Sequence, residues 1–86
     1  MTDDAAPRRW LDGDGVHLDV RGLAPPQPLI AILRFLREQH ENRPPVLVHL
    51  ERDPVMLYPE LAEIGWVAEC LSADPGAVLL RLTRPP

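Results

Sequence analysis

The segment Leu18-Asp19-Val20-Arg21-Gly22-Leu23-Ala24-Pro25-Pro26-Gln27-Pro28-Leu29 leaves this chain few folds to choose from. Val16 to Val20 alternates apolar and polar residues, the two-residue period of a half-buried strand. Pro26 and Pro28 are acceptable only in the first turn of a helix, where a missing N–H costs nothing. Leu29, Ile30, Ile32, Leu33 and Leu36 then recur at helical spacing, with Arg34, Arg37 and Glu38 placed to face water. A strand thus runs through a turn at Gly22 straight into a helix start. Such a start has backbone N–H groups without intrahelical partners, which attract anions and lower the pKa of a nearby thiol. The residue just before the helix is Pro25, which offers neither nucleophile nor N–H. The segment frames a site and withholds its reactive atom.

The rest of the chain repeats the pattern. The first helix is expected to end near His40, before Asn42-Arg43-Pro44-Pro45, and Val46 to Leu50 is a second strand. Asp53-Pro54 supplies an N-cap and a first-turn proline for a short helix that Tyr58-Pro59 restarts or kinks and Gly65 stops. Trp66 to Leu71 and Ala77 to Thr83 form a hairpin around Ser72-Ala73-Asp74-Pro75-Gly76. The expected fold is α+β: a two-layer sandwich of order βαβαββ, with a four-stranded mixed sheet and two helices on one face. Residues 1–9 are expected to be a disordered tail and residues 10–86 a single domain, with a turn at Asp12-Gly13-Asp14-Gly15. Val16, Leu18, Val20, Val46, Val48, Leu50, Val78, Leu80 and Leu82 should face the helices. His17, Asp19, Leu47, His49, Leu79 and Arg81 should face away, with His17 and His49 close together if their strands are parallel neighbours.

Composition narrows the function. The 86 residues carry a net charge of −4, and every basic side chain is an arginine. An acidic domain is a poor competitor for phosphate counterions, so nucleic acid is not an expected partner. No apolar run reaches the ~18 residues of a membrane span, and the acidic start lacks the order of a signal peptide. One cysteine, Cys70, excludes an intrachain disulfide and fits a reducing, cytoplasmic setting. No H-x-x-x-H, C-x-x-C, Gly-rich phosphate loop or Ser-His-Asp spacing is present, so neither metal nor cofactor is expected.

The spacing Leu18-Asp19-x-x-Gly22-Leu23-x-x-Pro26-x-Pro28 resembles the signature of the TusA/SirA sulfur-carrier family. Asp53-Pro54, Tyr58-Pro59 and Gly65 resemble that family's second helix, and the likeness covers residues 16–83. It implies the βαβαββ sandwich. In the sulfur carriers a cysteine precedes the first helix proline and carries a persulfide; Pro25 stands there in this chain, so the transfer chemistry is not implied. The match is closer to an uncharacterised TusA-like branch, a domain of unknown function. Its Asp-x-Arg-x-Leu-x-Pro-Pro is met by Asp19 to Pro26, and its Asp-Pro-x-x-Leu-Tyr by Asp53 to Tyr58. Members of that branch often accompany hemerythrin-like domains or redox systems, which implies a protein partner from such a context.

The candidate binding residues are Arg21, Pro25, Pro26, Gln27, Arg52, Asp53 and Tyr58, on two loops that should open at one sheet edge. Arg21 either grips an anion at the helix mouth or pairs with Asp19 or Asp53 to brace the loop. Cys70 shares strand parity with Trp66 and Ala68, so it is expected on the helix-facing side as a small, buried, unreactive residue. The expected function is non-catalytic binding of a protein partner or a small anion around Arg21 to Pro28. The alternative is a redox or sulfur-relay component using Cys70. Weak self-association through the half-apolar open face bearing Leu47 and Leu79 is a further expectation.

Overall fold

The computed structural model describes residues 7–39 and 45–85. Seven elements follow one another: β1 (Arg8–Asp12), β2 (Gly15–Asp19), α1 (Gln27–Arg37), β3 (Val46–Leu50), α2 (Leu57–Glu63), β4 (Val67–Asp74) and β5 (Ala77–Thr83). The strands form one mixed sheet in the order β1-β2-β3-β5-β4, with β2 and β3 parallel and the other pairs antiparallel. The sheet has five strands where the sequence predicted four.

The additional strand lies in what was expected to be tail and turn. Arg8 and Arg9 pair with Asp19 and Leu18, and the hairpin turns at Gly13-Asp14. Residues 1–6 and His40, where the first helix was expected to end, lie outside the described residues. Gly15 is the residue the hairpin cannot replace. Its φ is +139°, and a Cβ there would lie 2.3 Å from the Pro45 carbonyl oxygen. That carbonyl accepts the Val16 N–H at 3.0 Å, which holds β2 against β3.

The alternation assigns the sheet faces as expected. Leu18, Val20, Val46, Val48, Leu50, Val78, Leu80 and Leu82 are all buried and share one core with both helices. From α1 come Ile32, Leu33, Phe35 and Leu36; from α2 come Leu57 and Leu61. Each such side chain contributes roughly 1.5–3 kcal/mol on burial. Pro26 takes the N-cap position of α1 and Pro28 its first turn, after a cis Pro25–Pro26 bond.

The second helix differs in detail from expectation. Asp53 is not its N-cap: the Leu57 N–H bonds the Pro54 carbonyl in a separate turn, and α2 starts at Leu57 with Met56 before it. The helix does stop at Gly65, whose φ of +80° suits the left-handed position after a C-cap. No helix among the described residues is long and apolar enough to cross a membrane.

Two burial expectations are corrected. Cys70 pairs with Leu80, on the helix side as its parity required, yet it is exposed. It sits on the sheet's edge strand, which the seven-residue α2 leaves largely uncovered. Leu47, assigned to an open apolar face, is only 2% exposed. It is flanked in register by His17 and Arg81 and has its δ-carbon near Gly15, so the expected apolar surface of that face does not come from Leu47, and Leu79 is half-buried.

Candidate functional site

The C-terminal ends of β2 and β3 lie side by side, and the chain leaves each of them through a loop into a helix. Between these loops is a pocket of about 280 Å³. Val20, Leu50 and Leu57, all nearly inaccessible, form its floor. Pro25, Pro26, Pro28 and Leu29 wall it on the α1 side; Pro54, Val55 and Met56 do so on the α2 side. Val55 and Met56 are 66% and 72% exposed, the most solvent-exposed large apolar side chains of that loop. A run of prolines makes these walls stiff, because each ring fixes its own φ.

The polar candidates are largely committed within the fold. Asp19, 3% exposed at its side chain, accepts bonds from the Arg21 backbone N–H at 3.0 Å and from Arg21 Nε and a terminal nitrogen at 3.0 and 2.9 Å. Arg8 of β1 adds a bond at 3.0 Å. The Arg21 bonds and the Arg8 bond outweigh burial and hold the Asp19 carboxyl well below the usual carboxylate range. Of the two sequence readings of Arg21, the structure shows the brace, with Asp19 as its partner. Glu51 accepts the Gly22 N–H, and Asp53 accepts the Tyr58 hydroxyl. Burial first, then that bond, pushes the Tyr58 hydroxyl up to about 12, so it stays protonated at ordinary pH.

Pro25, Pro26, Arg52 and Asp53 therefore do line one pocket, and Tyr58 stands behind it on Asp53. Gln27 does not join them; it lies in a separate groove between β1 and α1, beside Arg9 and Arg34. Arg52 makes no ion pair among the described residues, which leaves it the free cation on the rim. The apolar walls Leu23, Leu29, Val55 and Met56 were missed. The available signal was the pair Val55-Met56, two exposed-loop apolar residues between a proline and a helix start.

The outward face of the sheet carries a second polar group. His17 and His49 hydrogen bond at 2.9 Å between Nδ1 and Nε2, as their strand positions allowed. Nε2 of His17 meets Asp14 at 3.0 Å and Asp12 at 3.8 Å. Asp12, Asp14 and His17 bring donor atoms within 4.8 Å of one another; this mutual pairing accounts for their closeness, and no ion is assigned to them.

Fold and pocket together define a small α+β domain with an apolar cleft between two loop-to-helix junctions. Residues 17–84 match the family described as Uncharacterized conserved protein (DUF2249), and the chain belongs to that family. The match begins within β2, so β1 lies outside it. No curated protein and no solved structure matches the chain.

Proposed function

We propose that this domain is a small non-catalytic binding module of TusA-like descent, which takes an apolar side chain of a protein partner into the pocket between its two helix starts. The observation that carries this reading is the pocket's chemistry: apolar walls and floor, with Val55 and Met56 standing exposed at the rim. Exposed apolar patches that border a cleft are characteristic of interaction sites. The small-anion form of the reading is weaker, because the Arg21 guanidinium is already held by Asp19 on two bonds and Arg52 is left as the one cation of the pocket lining without an ion pair among the described residues. Descent from the sulfur carriers is supported by the Leu18 to Pro28 spacing, with Pro25 in the nucleophile's place.

The test is a random-peptide display selection on the intact domain, repeated with Met56→Glu and Arg21→Ala. Enriched peptides should share an apolar anchor, and their binding should be lost in Met56→Glu and kept in Arg21→Ala. No enrichment, or binding that survives Met56→Glu, overturns the pocket reading.

One observation favours a second reading, a sulfur or redox relay through Cys70: the thiol is exposed. The thiol donates a hydrogen bond to the Ser72 carbonyl at 3.5 Å. Stoichiometric, Cys70-dependent persulfide loading from a desulfurase donor would establish the relay and exclude the non-catalytic reading.

A further inference from the structure

Strand β1 is the sheet's exposed edge, and every one of its residues is solvent-exposed. Apart from its backbone ladder to β2, four side chains dock it, Asp12 through its 3.8 Å contact with Nε2 of His17. Arg8 reaches Asp19, Arg9 lies 5.3 Å over the Phe35 ring, and Trp10 covers the two histidines. The indole stacks on His17 at 5.0 Å and 10° and tilts over His49 at 5.4 Å. The imidazoles themselves are joined by the 2.9 Å contact between Nδ1 of His17 and Nε2 of His49.

That contact has room for a single hydrogen. With both rings neutral, His17 donates from Nε2 to Asp14 and accepts at Nδ1 from His49. With one ring charged, His17 donates from both nitrogens, to Asp14 and to His49, whose remaining hydrogen moves to its Nδ1. The charge then lies against the Asp14 and Asp12 carboxylates and under the indole face, which attracts cations. With both rings charged, two N–H groups face each other across 2.9 Å, so the bond cannot exist and the rings must part, which takes away the paired surface on which Trp10 of β1 stacks. We propose that His17 and His49 form a one-proton latch beneath Trp10, holding β1 docked with no proton charge or one and releasing it when the second imidazole is protonated.

The surroundings resist that second proton. Burial and then the charge of His17 push His49 down, and Arg21 acts in the same direction. Asp19 and Asp14 oppose them, but Asp19 is already paired with Arg8 and Arg21. From β5, Arg81 stands beside Leu47 on this face and is held by Glu69 of β4. Release therefore belongs below the ordinary imidazole range, at a pH where the core strands remain paired.

Amide hydrogen exchange on the intact chain tests the latch, read as protection factors at each pH from 7.5 to 4.5. The β1 amides should lose at least tenfold more protection than those of β3 and β5, in one step below about pH 6.5. His49→Gln, which cannot take a proton, should abolish the step. Loss of β1 protection in parallel with the core, or a step retained in His49→Gln, overturns the proposal. Imidazole nitrogen shifts in the wild type give a check that does not depend on the variant folding. One ring should charge well before the other; two rings titrating together at the ordinary value would refute the latch.

Discussion

The two faces at the end of strand β2 dispose of polarity in opposite ways. Outward, Asp19 gathers Arg8 and Arg21, and His17 gathers His49 and Asp14, so polar groups are satisfied by one another. Inward and toward the loops, Val20, Leu50 and Leu57 continue the core into an open pocket whose rim is apolar and uncovered. Of the charged residues there, Glu51 and Asp53 are bonded within the fold and Arg52 is left without an ion pair among the described residues. On the proposed reading, binding falls where hydrogen bonds are few, which is the reverse of what charges near a helix mouth suggest.

The largest effect is expected at the pocket floor. Leu57 is fully buried, belongs to the core and lines the pocket. Leu57→Ala should cost about 3 kcal/mol, the transfer loss plus the cavity left behind. Urea unfolding should show a lower midpoint with an unchanged slope. A loss below about 1 kcal/mol would mean that the pocket floor is not part of the cooperative core.

Next comes the polar face. Asp19→Asn keeps one acceptor oxygen but turns an amide toward two guanidinium groups. It should cost about 2 kcal/mol, moderated because both arginines reach solvent. The same residue gives a pH signature. Its folded pKa is lowered, so its contribution is complete above the unfolded value of about 3.9 and disappears as pH falls through the folded value. His49 is lowered too: the unfolded chain binds its proton more readily, so stability falls as pH drops below about 6.5 toward the folded value. Urea midpoints taken from pH 8 to 3 should fall in two windows, and Asp19→Asn should shrink only the more acidic one, which Asp14, lowered by its bond to His17, shares. A single acid transition unaffected by the substitution would show that the carboxylate is not the hub of this face.

How far each face was legible follows from the same contrast. The core face could be read because period-two alternation is local: Leu18, Val20, Val46, Val48, Leu50, Leu80 and Leu82 each carry the signal in their own neighbours. Strand β1 could not, since Arg8-Arg9-Trp10-Leu11-Asp12 places no side chain in the core and is held by a partner strand and cross-strand pairs. Cys70 shows the boundary between the two: parity gave its face, but exposure depends on how far α2 reaches over an edge strand. At the pocket, the sequence located both loops and favoured their charges. Whether Arg21 is free or bound to Asp19 is a question of three-dimensional register, and so is the separation of Gln27 from Pro25 and Pro26.

The smallest effect on stability is expected at the pocket rim. Met56 is 72% exposed and sits just before α2, so little apolar area is lost to water when it is replaced. Met56→Glu should therefore leave the urea midpoint nearly unchanged, within about 0.5 kcal/mol, as surface substitutions generally do. A new carboxylate at the start of α2 is if anything favourable to the helix dipole. Yet the same change places a charge on the rim of an apolar cleft, where an incoming side chain would have to desolvate it. Stability kept and peptide binding lost would separate a surface that serves recognition from one that serves the fold. A substantial loss of stability would instead place Met56 with Leu57 in the core, and the rim would cease to be a distinct binding surface.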